Sequence, residues 1–421
     1  MRNKLWNKNF TLFFVASAHE SLGSSIAGVA LSFLVFKLTH SSSAMSITLA
    51  LKFMPSVITP VVATFIDRIH LKPPLIIGNF LRSTILIIVF LGVKIGLFNV
   101  YSIYVMALLI GLIDTAYSPA IQRLLPQVIP KEQLARGVSL IMMASQSMGL
   151  IGFVSAGVAI AIFGPEFSLF IEGVCYFIVG FLLLFVYIPA HVCDDSKKTF
   201  YVDFILGLKM IKASHIILMI MSVGLLINIL MPSLQVLLQT HMITIGMGAF
   251  GYGLFMGLLV GGLLLGNAII TILGRKFDSL YSIVLGFVGI SISYAGLGIQ
   301  KSFHFSLCWA VLMGLSCAMI NTGTMVILQT IVPTRFRARV LGTMGAVCQI
   351  GIPFSLFILS SVIKKMTLET LFVYSMTATF TMAATWMIAI KKYGHNLLLK
   401  PISIICTQKF KKSDLQSDFK H

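Results

Sequence analysis

Residues 44–72 read AMSITLALKFMPSVITPVVATFIDRIHLK and decide the class of fold. The first 23 of them, 44–66, are apolar apart from Lys52 and a few hydroxyl side chains. A helix that crosses a bilayer needs about 20 such residues. The run ends at Asp67 and Arg68, with Lys72 close behind. The stretch therefore predicts a transmembrane helix followed by a short charged turn at one membrane surface.

Apolar runs of this kind recur along the whole chain, with glycine, proline or charged residues between them. They predict twelve spans, at 10–36, 44–66, 74–93, 100–122, 137–163, 167–189, 214–239, 248–272, 279–299, 303–328, 338–362 and 368–390. The first begins after a basic segment and contains Ala16-Ser17-Ala18, which resembles a signal-peptide cleavage site. Because its apolar run continues to Phe36, we interpret it as an uncleaved first helix.

The composition of the chain excludes several classes of protein. Of 421 residues, 57% are hydrophobic and 10% charged, and the mean hydropathy is +0.97. Soluble domains carry about 25% charged residues. So little charge cannot cover a water-facing surface, which excludes a soluble enzyme, a disordered chain and a nucleic-acid-binding domain. The roughly 240 apolar residues suffice for at most about twelve spans.

Lysine and arginine are distributed unevenly between the two sides of the predicted spans. If the N-terminus is cytoplasmic, 25 of the 31 lie in inner segments, 5 lie outside and Lys52 lies within a span. Basic residues collect in the cytoplasmic loops of membrane proteins. The distribution predicts that both termini are cytoplasmic, and it accounts for the net charge of +18 without a nucleic-acid partner.

The longest gap between spans, residues 190–213, divides the chain into two sets of six helices of similar length. Such a division predicts two structural repeats. We therefore predict an all-α membrane protein with twelve transmembrane helices in two six-helix bundles, 1–189 and 214–391, joined by a cytoplasmic linker and followed by a cytoplasmic tail, 392–421. Apolar residues at helical spacing within 200–213 predict an amphipathic surface helix in the linker.

The cysteines are scattered and form neither a C-x-x-C pair nor a zinc-ligand spacing; they are Cys175, Cys193, Cys308, Cys317, Cys348 and Cys406. This pattern predicts free thiols, with no disulfide framework and no metal site. The chain contains no Walker lysine motif and no other enzyme motif. The sequence therefore predicts neither an enzyme nor a cofactor.

Two carboxylates lie deep within predicted spans. Glu20 is about ten residues into span 1 and Asp114 about 14 residues into span 4. An ionisable group inside a membrane is costly and is by default a candidate functional residue. Carboxyl groups removed from water bind protons more readily, so one reading is that they carry protons. The other reading is a buried acid hydrogen-bonded to a neighbour such as Ser24 or Tyr117. A third acid, Glu172, lies only a few residues into span 6, near the predicted outer surface.

Several local sequences resemble the major facilitator superfamily. Residues 63–72, ATFIDRIHLK, are similar to its pattern G-x-x-x-D-R-x-x-R-K. The matching residues are Asp67, Arg68 and Lys72, whereas Ala63 and Leu71 depart from the pattern. Residues 79–82, NFLR, resemble its D-x-x-R motif in helix 3. Residues 118–134, SPAIQRLLPQVIPKEQL, and 329–342, QTIVPTRFRARVLG, resemble the macrolide-efflux and enterobactin-exporter branch.

The resemblance implies alternating access around a central cavity lined by helices 1, 4, 7 and 10. The implied cavity residues are Glu20, His19 and Asp114 in the first half and Asn228, Gln235 and Asn321 in the second. His19 is a cavity group or a bystander, and the polar residues of the second half contact substrate or join helices. Since intramembrane acids occur in the first half only, ion coupling is predicted there and polar substrate contacts in the second half.

The loop after helix 2 predicts a gate on the cytoplasmic side. The start of helix 11 presents unpaired N–H groups and a partial positive charge. A contact from Asp67 to that helix end, or to Arg339, would hold the two halves together. Arg68, Lys72 and Arg82 would complete the charge network. The alternative is that the basic residues only follow the charge rule for cytoplasmic loops.

Glycines four residues apart in predicted helix 8, Gly253, Gly257 and Gly261, indicate close helix packing. The resemblance implies that this helix meets helix 5 across the two halves. In helix 5, Gly152 is followed by Phe153, where proton-driven drug antiporters often have proline. This departure leaves the substrate class open.

The sequence as a whole predicts a secondary transporter of the inner membrane that exports a small organic compound, drug-like or amphipathic, by proton exchange. The predicted partners are this substrate, protons and the lipid bilayer, and the chain is expected to act as a monomer. The alternatives are a siderophore or metabolite exporter of the same fold, an importer, and a non-transporting membrane scaffold or sensor.

The predicted orientation can be tested with reporter fusions. We expect a green fluorescent protein joined to the C-terminus to fluoresce, and alkaline phosphatase to be active when fused in the segment 94–100 but inactive when fused in 190–213. The reason is that the segments rich in lysine and arginine stay in the cytoplasm. Active phosphatase at the C-terminus would contradict the assignment.

Overall fold

The computed structural model describes residues 5–66, 69–187, 208–212, 214–274, 277–300 and 302–393. These residues contain twelve helices that are long and apolar enough to cross a membrane. They are α1 (Lys8–Thr39), α2 (Ser42–Phe53, continued by a 3-10 turn at Met54–Ile58 and a helical segment at Thr59–Ile66), α3 (Lys72–Lys94), α4 (Val100–Val128), α5 (Leu134–Phe163), α6 (Pro165–Leu184), α7 (His215–Thr244), α8 (Gly248–Leu273), α9 (Ser279–Ile299), α10 (Phe303–Ile331), α11 (Thr334–Val362) and α12 (Leu368–Tyr393). The predicted all-α fold of two six-helix bundles is confirmed.

Several helix ends follow directly from the local sequence. Asn7, Asn99 and Asp278 precede α1, α4 and α9, and each side-chain oxygen accepts a hydrogen bond from a backbone N–H of the first turn. Gly164 has a φ of +89°, a backbone conformation that favours glycine, and Pro165 begins α6. The chain therefore turns from α5 to α6 within one residue.

The continuous second helix predicted from the sequence is interrupted in the structure. Its middle is the 3-10 turn at Met54–Ile58. Pro55 is the second residue of this turn and Pro60 the second residue of the helical segment after it, and neither proline has an N–H to donate to the helical ladder. The two prolines account for the break that apolarity alone does not reveal.

The linker between the bundles is described only in part. Residues 208–212 of the predicted amphipathic helix are helical, with Met210 and Ile211 buried. The rest of the predicted linker up to 207, and the tail beyond 393, lie outside the described residues. The domain boundaries therefore stay a prediction.

The two bundles repeat the same close contacts between helices. Gly111 of α4 lies against the backbone carbonyl of Lys52 in α2, and Gly314 of α10 lies against the carbonyl of Leu259 in α8. Gly314 follows Gly111 by 203 residues. A side chain at either glycine would collide with backbone, so both positions require the smallest residue.

The contact between α1 and α5 is repeated between α7 and α11. A Cβ atom at Gly152 would lie 2.8 Å from the carbonyl oxygen of Leu22, and one at Gly351 would lie 3.6 Å from that of Leu225. Leu225 follows Leu22 by 203 residues, as Gly314 follows Gly111. The matching contacts indicate that α7–α12 repeat the arrangement of α1–α6.

The bundles meet along α5 and α8. A Cβ atom at Gly253 would lie 2.5 Å from the carbonyl oxygen of Phe153 and 2.8 Å from the Cα of Gly157. Small residues let the two backbones approach this closely. The contact between helices 5 and 8 that the resemblance implied is therefore confirmed.

Serine hydroxyls join α2 to α11 at one end of the molecule. Ser43 donates a hydrogen bond to the carbonyl oxygen of Ser360, and Ser46 donates one to that of Leu356, both at 2.6 Å. Because α11 ends at Val362, the carbonyl of Ser360 is among the last four, which lack a partner within the helix. The first bundle therefore completes a helix end of the second.

Removing these hydroxyls should loosen that end. A hydrogen bond contributes about 1 kcal/mol net, so its loss should make local opening of this helix end roughly fivefold more frequent. We expect Ser43→Ala and Ser46→Ala each to speed hydrogen–deuterium exchange at the C-terminal turn of α11 by about that factor. Ser139→Ala serves as the control, because the Ser139 hydroxyl bonds only to its own helix at Ala135. Unchanged exchange in both variants would show that apolar packing alone holds this end.

Candidate functional site

Arg82 lies in the middle of α3 and is almost completely buried. It is the eleventh of the 23 residues of the helix, and its side chain is 2% exposed. The sequence analysis placed Arg82 at the start of helix 3 and in the charge network of the cytoplasmic gate, whereas the structure places it in the middle of the helix. Burying a guanidinium group costs several kcal/mol unless anionic partners surround it.

Two carboxylates from different helices supply those partners. The Nε atom of Arg82 lies 3.0 Å from Oδ1 of Asp114 in α4, and its Nη1 atom lies 3.7 Å from Oε1 of Glu20 in α1. The hydroxyl of Tyr117 donates a hydrogen bond of 3.1 Å to the other oxygen of Glu20. The structure therefore brings the two predicted carboxylates together around a cation that was assigned elsewhere.

Aromatic rings enclose the guanidinium group on its remaining sides. The guanidinium carbon of Arg82 lies 4.0 Å from the ring centre of Tyr117 and 5.1 Å from that of Tyr176 in α6. The faces of aromatic rings attract cations, more strongly when water is excluded. Four helices, α1, α3, α4 and α6, are thus joined at one charged group.

One side of this cluster is open. Glu20, Ser24 and Gly28 follow each other at intervals of four residues on α1, so they lie on one helical face. Ser24 is exposed, and a Cβ atom at Gly28 would meet no other atom within 4 Å. Both carboxylates are partly exposed, since the side chain of Glu20 is 24% exposed and that of Asp114 41%.

A third carboxyl group lies behind the cluster. Glu172 in α6 is 1% exposed and contacts α1 at Gly23, three residues after Glu20. Its Oε2 atom accepts no hydrogen bond from the described residues, and no described cation lies within 4 Å of it. Lys52 in α2 is partly buried and attracts Glu172 electrostatically, although the two form no ion pair within 4 Å in the described part of the chain.

The other predicted cavity residues make local contacts. The ring of His19 bonds through Nδ1 to the carbonyl of Val15, and Asn228 donates to the carbonyl of Gly224, each within its own helix. Gln235 is partly buried in α7, and Asn321 is exposed in α10. None of them joins the charged cluster, and their role as substrate contacts stays a prediction.

The predicted gate is only partly described. Asp67 and Arg68 lie outside the described residues, and Arg339 falls within the first turns of α11, where its side chain is not described. Lys72 begins α3, and its Nζ atom donates to the carbonyl of Leu184 at the end of α6, in the same bundle. This contact is the usual one for a cation at a helix C-terminus. The gate contact from Asp67 therefore stays a prediction.

Some residues of the site escaped the sequence analysis. Tyr176 and the cluster role of Arg82 were not foreseen, since they depend on how α3 and α6 face α1. Arg123 was also missed; its Nη1 atom donates a hydrogen bond of 2.6 Å to the carbonyl of Ile66, immediately before the charged turn. One feature of the sequence could have predicted the buried position of Arg82, because this residue lies about nine residues into a predicted span, too deep for a loop residue.

Removing the central cation should destabilise the first bundle. Arg82→Gln leaves two carboxylates without their cation, a change that costs on the order of 3 kcal/mol at buried pairs. We expect a clear decrease in the thermal unfolding temperature in detergent. The triple variant with Glu20→Gln and Asp114→Asn should recover part of the loss, because it also removes the uncompensated charges.

The matched control is the ion pair between Lys37 and Glu166, which is 2.7 Å long with the lysine 56% exposed. Lys37→Gln should change stability by less than about 1 kcal/mol, as is usual for exposed pairs. Equal effects of the Arg82 and Lys37 substitutions would contradict the central role of Arg82.

A family model and several known proteins match this chain. The family model of the Major Facilitator Superfamily matches residues 13–356. A curated relative, the uncharacterized MFS-type transporter YvqJ of Bacillus subtilis (strain 168), is 21% identical over 185 residues, which are 44% of this chain and 44% of the relative. The chain therefore aligns with less than half of that relative's length.

Solved structures with the same fold include several transporters. The nucleoside transporter NupG aligns with a TM-score of 0.73 at 12% identity, covering 91% of this chain and 99% of its own. A D-xylose–proton symporter aligns with a TM-score of 0.73 at 14% identity, covering 93% and 100%. At such low identities these structures show the fold alone. Because the family model matches most of its length, this chain belongs to the major facilitator superfamily of membrane transporters.

Proposed function

We propose that the protein is a secondary active transporter of the inner (plasma) membrane that exports a small organic compound in exchange for protons. It acts as a monomer, with both termini in the cytoplasm. The two bundles, 1–189 and 214–391, pivot about a central site and expose it to one side of the membrane at a time. Export is supported by the resemblance of residues 118–134 and 329–342 to exporters.

The observation that carries the proposal is the sharing of one guanidinium group by two carboxylates. Arg82 contacts Asp114 at 3.0 Å and Glu20 at 3.7 Å, so both acids compete for one cation. When one carboxylate takes up a proton, it loses its charge and the guanidinium pairs with the other. Proton binding therefore changes the contacts between α1, α3 and α4.

The cluster also lies where coupling requires it. Glu20 and Asp114 reach the open space beside α1, so protons can arrive at them, whereas Arg82 is sealed behind them. The corresponding positions of the second bundle, 203 residues later, are Val223 and Cys317. Neither carries a charge at neutral pH, so proton coupling is assigned to the first bundle.

The proposed orientation defines which side is open in this conformation. The loops beside Ser43 and Ser360 belong to the outer side, so the serine contacts between α2 and α11 close the outer end. The site is then open to the cytoplasm, the side from which an exporter takes its substrate. Asp67 and Arg339 would close that side in the alternate state.

Transport in reconstituted vesicles tests the proposal. The full-length protein is placed in proteoliposomes with an imposed pH gradient, and the movement of ethidium, a macrolide and a catecholate siderophore is followed. We expect the gradient to drive at least one of these probes. Glu20→Gln and Asp114→Asn should each abolish gradient-driven movement, because neither amide takes up a proton or holds a negative charge.

Glu166→Gln is the control, since it removes a carboxylate that lies in the first turn of α6, outside the cluster, and should leave transport unchanged. Gradient-driven transport at the wild-type rate in both variants of the cluster would contradict the coupling role. If no probe moves in vesicles that hold the gradient, proton exchange itself is contradicted. A growth screen of a deletion strain against antibiotics and under iron limitation separates drug export from siderophore export.

A further inference from the structure

The ionisable groups of the first bundle do not balance. Three carboxyl groups, those of Glu20, Asp114 and Glu172, share the region with only two cations, Arg82 and Lys52. Among the described residues, Arg82 is also the only cation within 4 Å of any of the three. A buried group without a partner is costly. The surplus negative charge beside Arg82 is neutralised when one carboxyl group binds a proton, as proposed above, or when a positively charged ligand takes the place of that proton.

The two carboxylates beside Arg82 are not equivalent. Both oxygens of Glu20 are occupied, one facing Arg82 and the other accepting from Tyr117. Asp114 contacts Arg82 but accepts no hydrogen bond from any hydroxyl or amide in the described part of the chain, and it is the more exposed of the two. Asp114 thus has binding capacity that the protein itself leaves unused.

The geometry of α4 shows where Asp114 points. The strongly exposed apolar residues of this helix are Tyr101, Val105, Leu109 and Leu112. At 100° per residue, each of them lies between 140° and 180° from Asp114 around the helix axis. These side chains form the lipid-facing stripe, so the exposed part of Asp114 is directed away from lipid, toward the interior of the protein.

A negatively charged ligand does not fit this site. Arg82 is 2% exposed and lies between the rings of Tyr117 and Tyr176, behind the carboxylates. An anion approaching from the open side would meet Asp114 and Glu20 before it reached the guanidinium group. The equivalent positions of the second bundle, Val223 and Cys317, offer no cation to receive it.

We infer that the transported compound is an organic cation whose positively charged group binds Asp114. This inference rests on the proposed transport function and specifies its substrate. The apolar body of the substrate would then pack against the exposed face of α1 at Ser24 and Gly28.

Binding of two matched probes tests the inference without any gradient. Tetraphenylphosphonium and tetraphenylborate have nearly the same size and apolar surface but opposite charge. We expect the full-length wild-type protein in detergent to bind tetraphenylphosphonium saturably, at least tenfold more tightly than tetraphenylborate. Asp114→Asn should weaken tetraphenylphosphonium binding at least tenfold, whereas Glu166→Gln should change it less than twofold.

The wild-type comparison needs no variant, so a folding defect in Asp114→Asn cannot obscure the result. Equal or tighter binding of tetraphenylborate, or no saturable binding of tetraphenylphosphonium, overturns the inference. So does unchanged cation affinity in a folded Asp114→Asn protein.

Failure here is distinct from failure of the proposed function. If a pH gradient drives an anionic or neutral probe while tetraphenylphosphonium does not bind, proton exchange stands and the cation inference fails. If tetraphenylphosphonium binds through Asp114 but no gradient drives any probe, the cation site stands and proton exchange fails.

Discussion

The arrangement of the first bundle depends on a single desolvated cation. A guanidinium group in the middle of a membrane-spanning helix is tolerated only when anions and polarisable rings replace its water. Asp114, Glu20, Tyr117 and Tyr176 do so from three further helices. The same contacts that compensate the desolvation of Arg82 therefore fix the relative positions of α1, α3, α4 and α6. The residues that stabilise this bundle are thus also the candidate functional residues.

The second bundle shows what the fold requires apart from this chemistry. Gly314 repeats the close approach made by Gly111, but three residues further on the second bundle has Cys317 where the first has Asp114. The glycine packs helices closely in both bundles, whereas the carboxylate occurs in one. Comparing the two bundles of one chain thus separates residues that the fold requires from candidates for the proposed function.

Length and apolarity were enough to predict all twelve helices, because the bilayer imposes both on any helix that crosses it. The acids were found for a similar reason, since their cost marks them in any apolar run. The partnership of Arg82 with Asp114 and Glu20 could not be predicted, because it depends on which faces three separate helices turn toward each other. The break in α2 was missed because its prolines change the backbone without changing the apolar pattern.

The bonds between α2 and α11 use hydroxyl groups and carbonyl oxygens, with no formal charge on either side. If α2 and α11 separate, water can replace each hydrogen-bond partner at little net cost, since a neutral hydrogen bond to water is nearly equivalent to the one lost. An ionic contact would have to be hydrated when the helices separate and dehydrated again when they rejoin. In the proposed transport cycle, neutral contacts avoid this repeated dehydration, so the equilibrium between the closed and open states would be left to proton binding at Glu20 and Asp114.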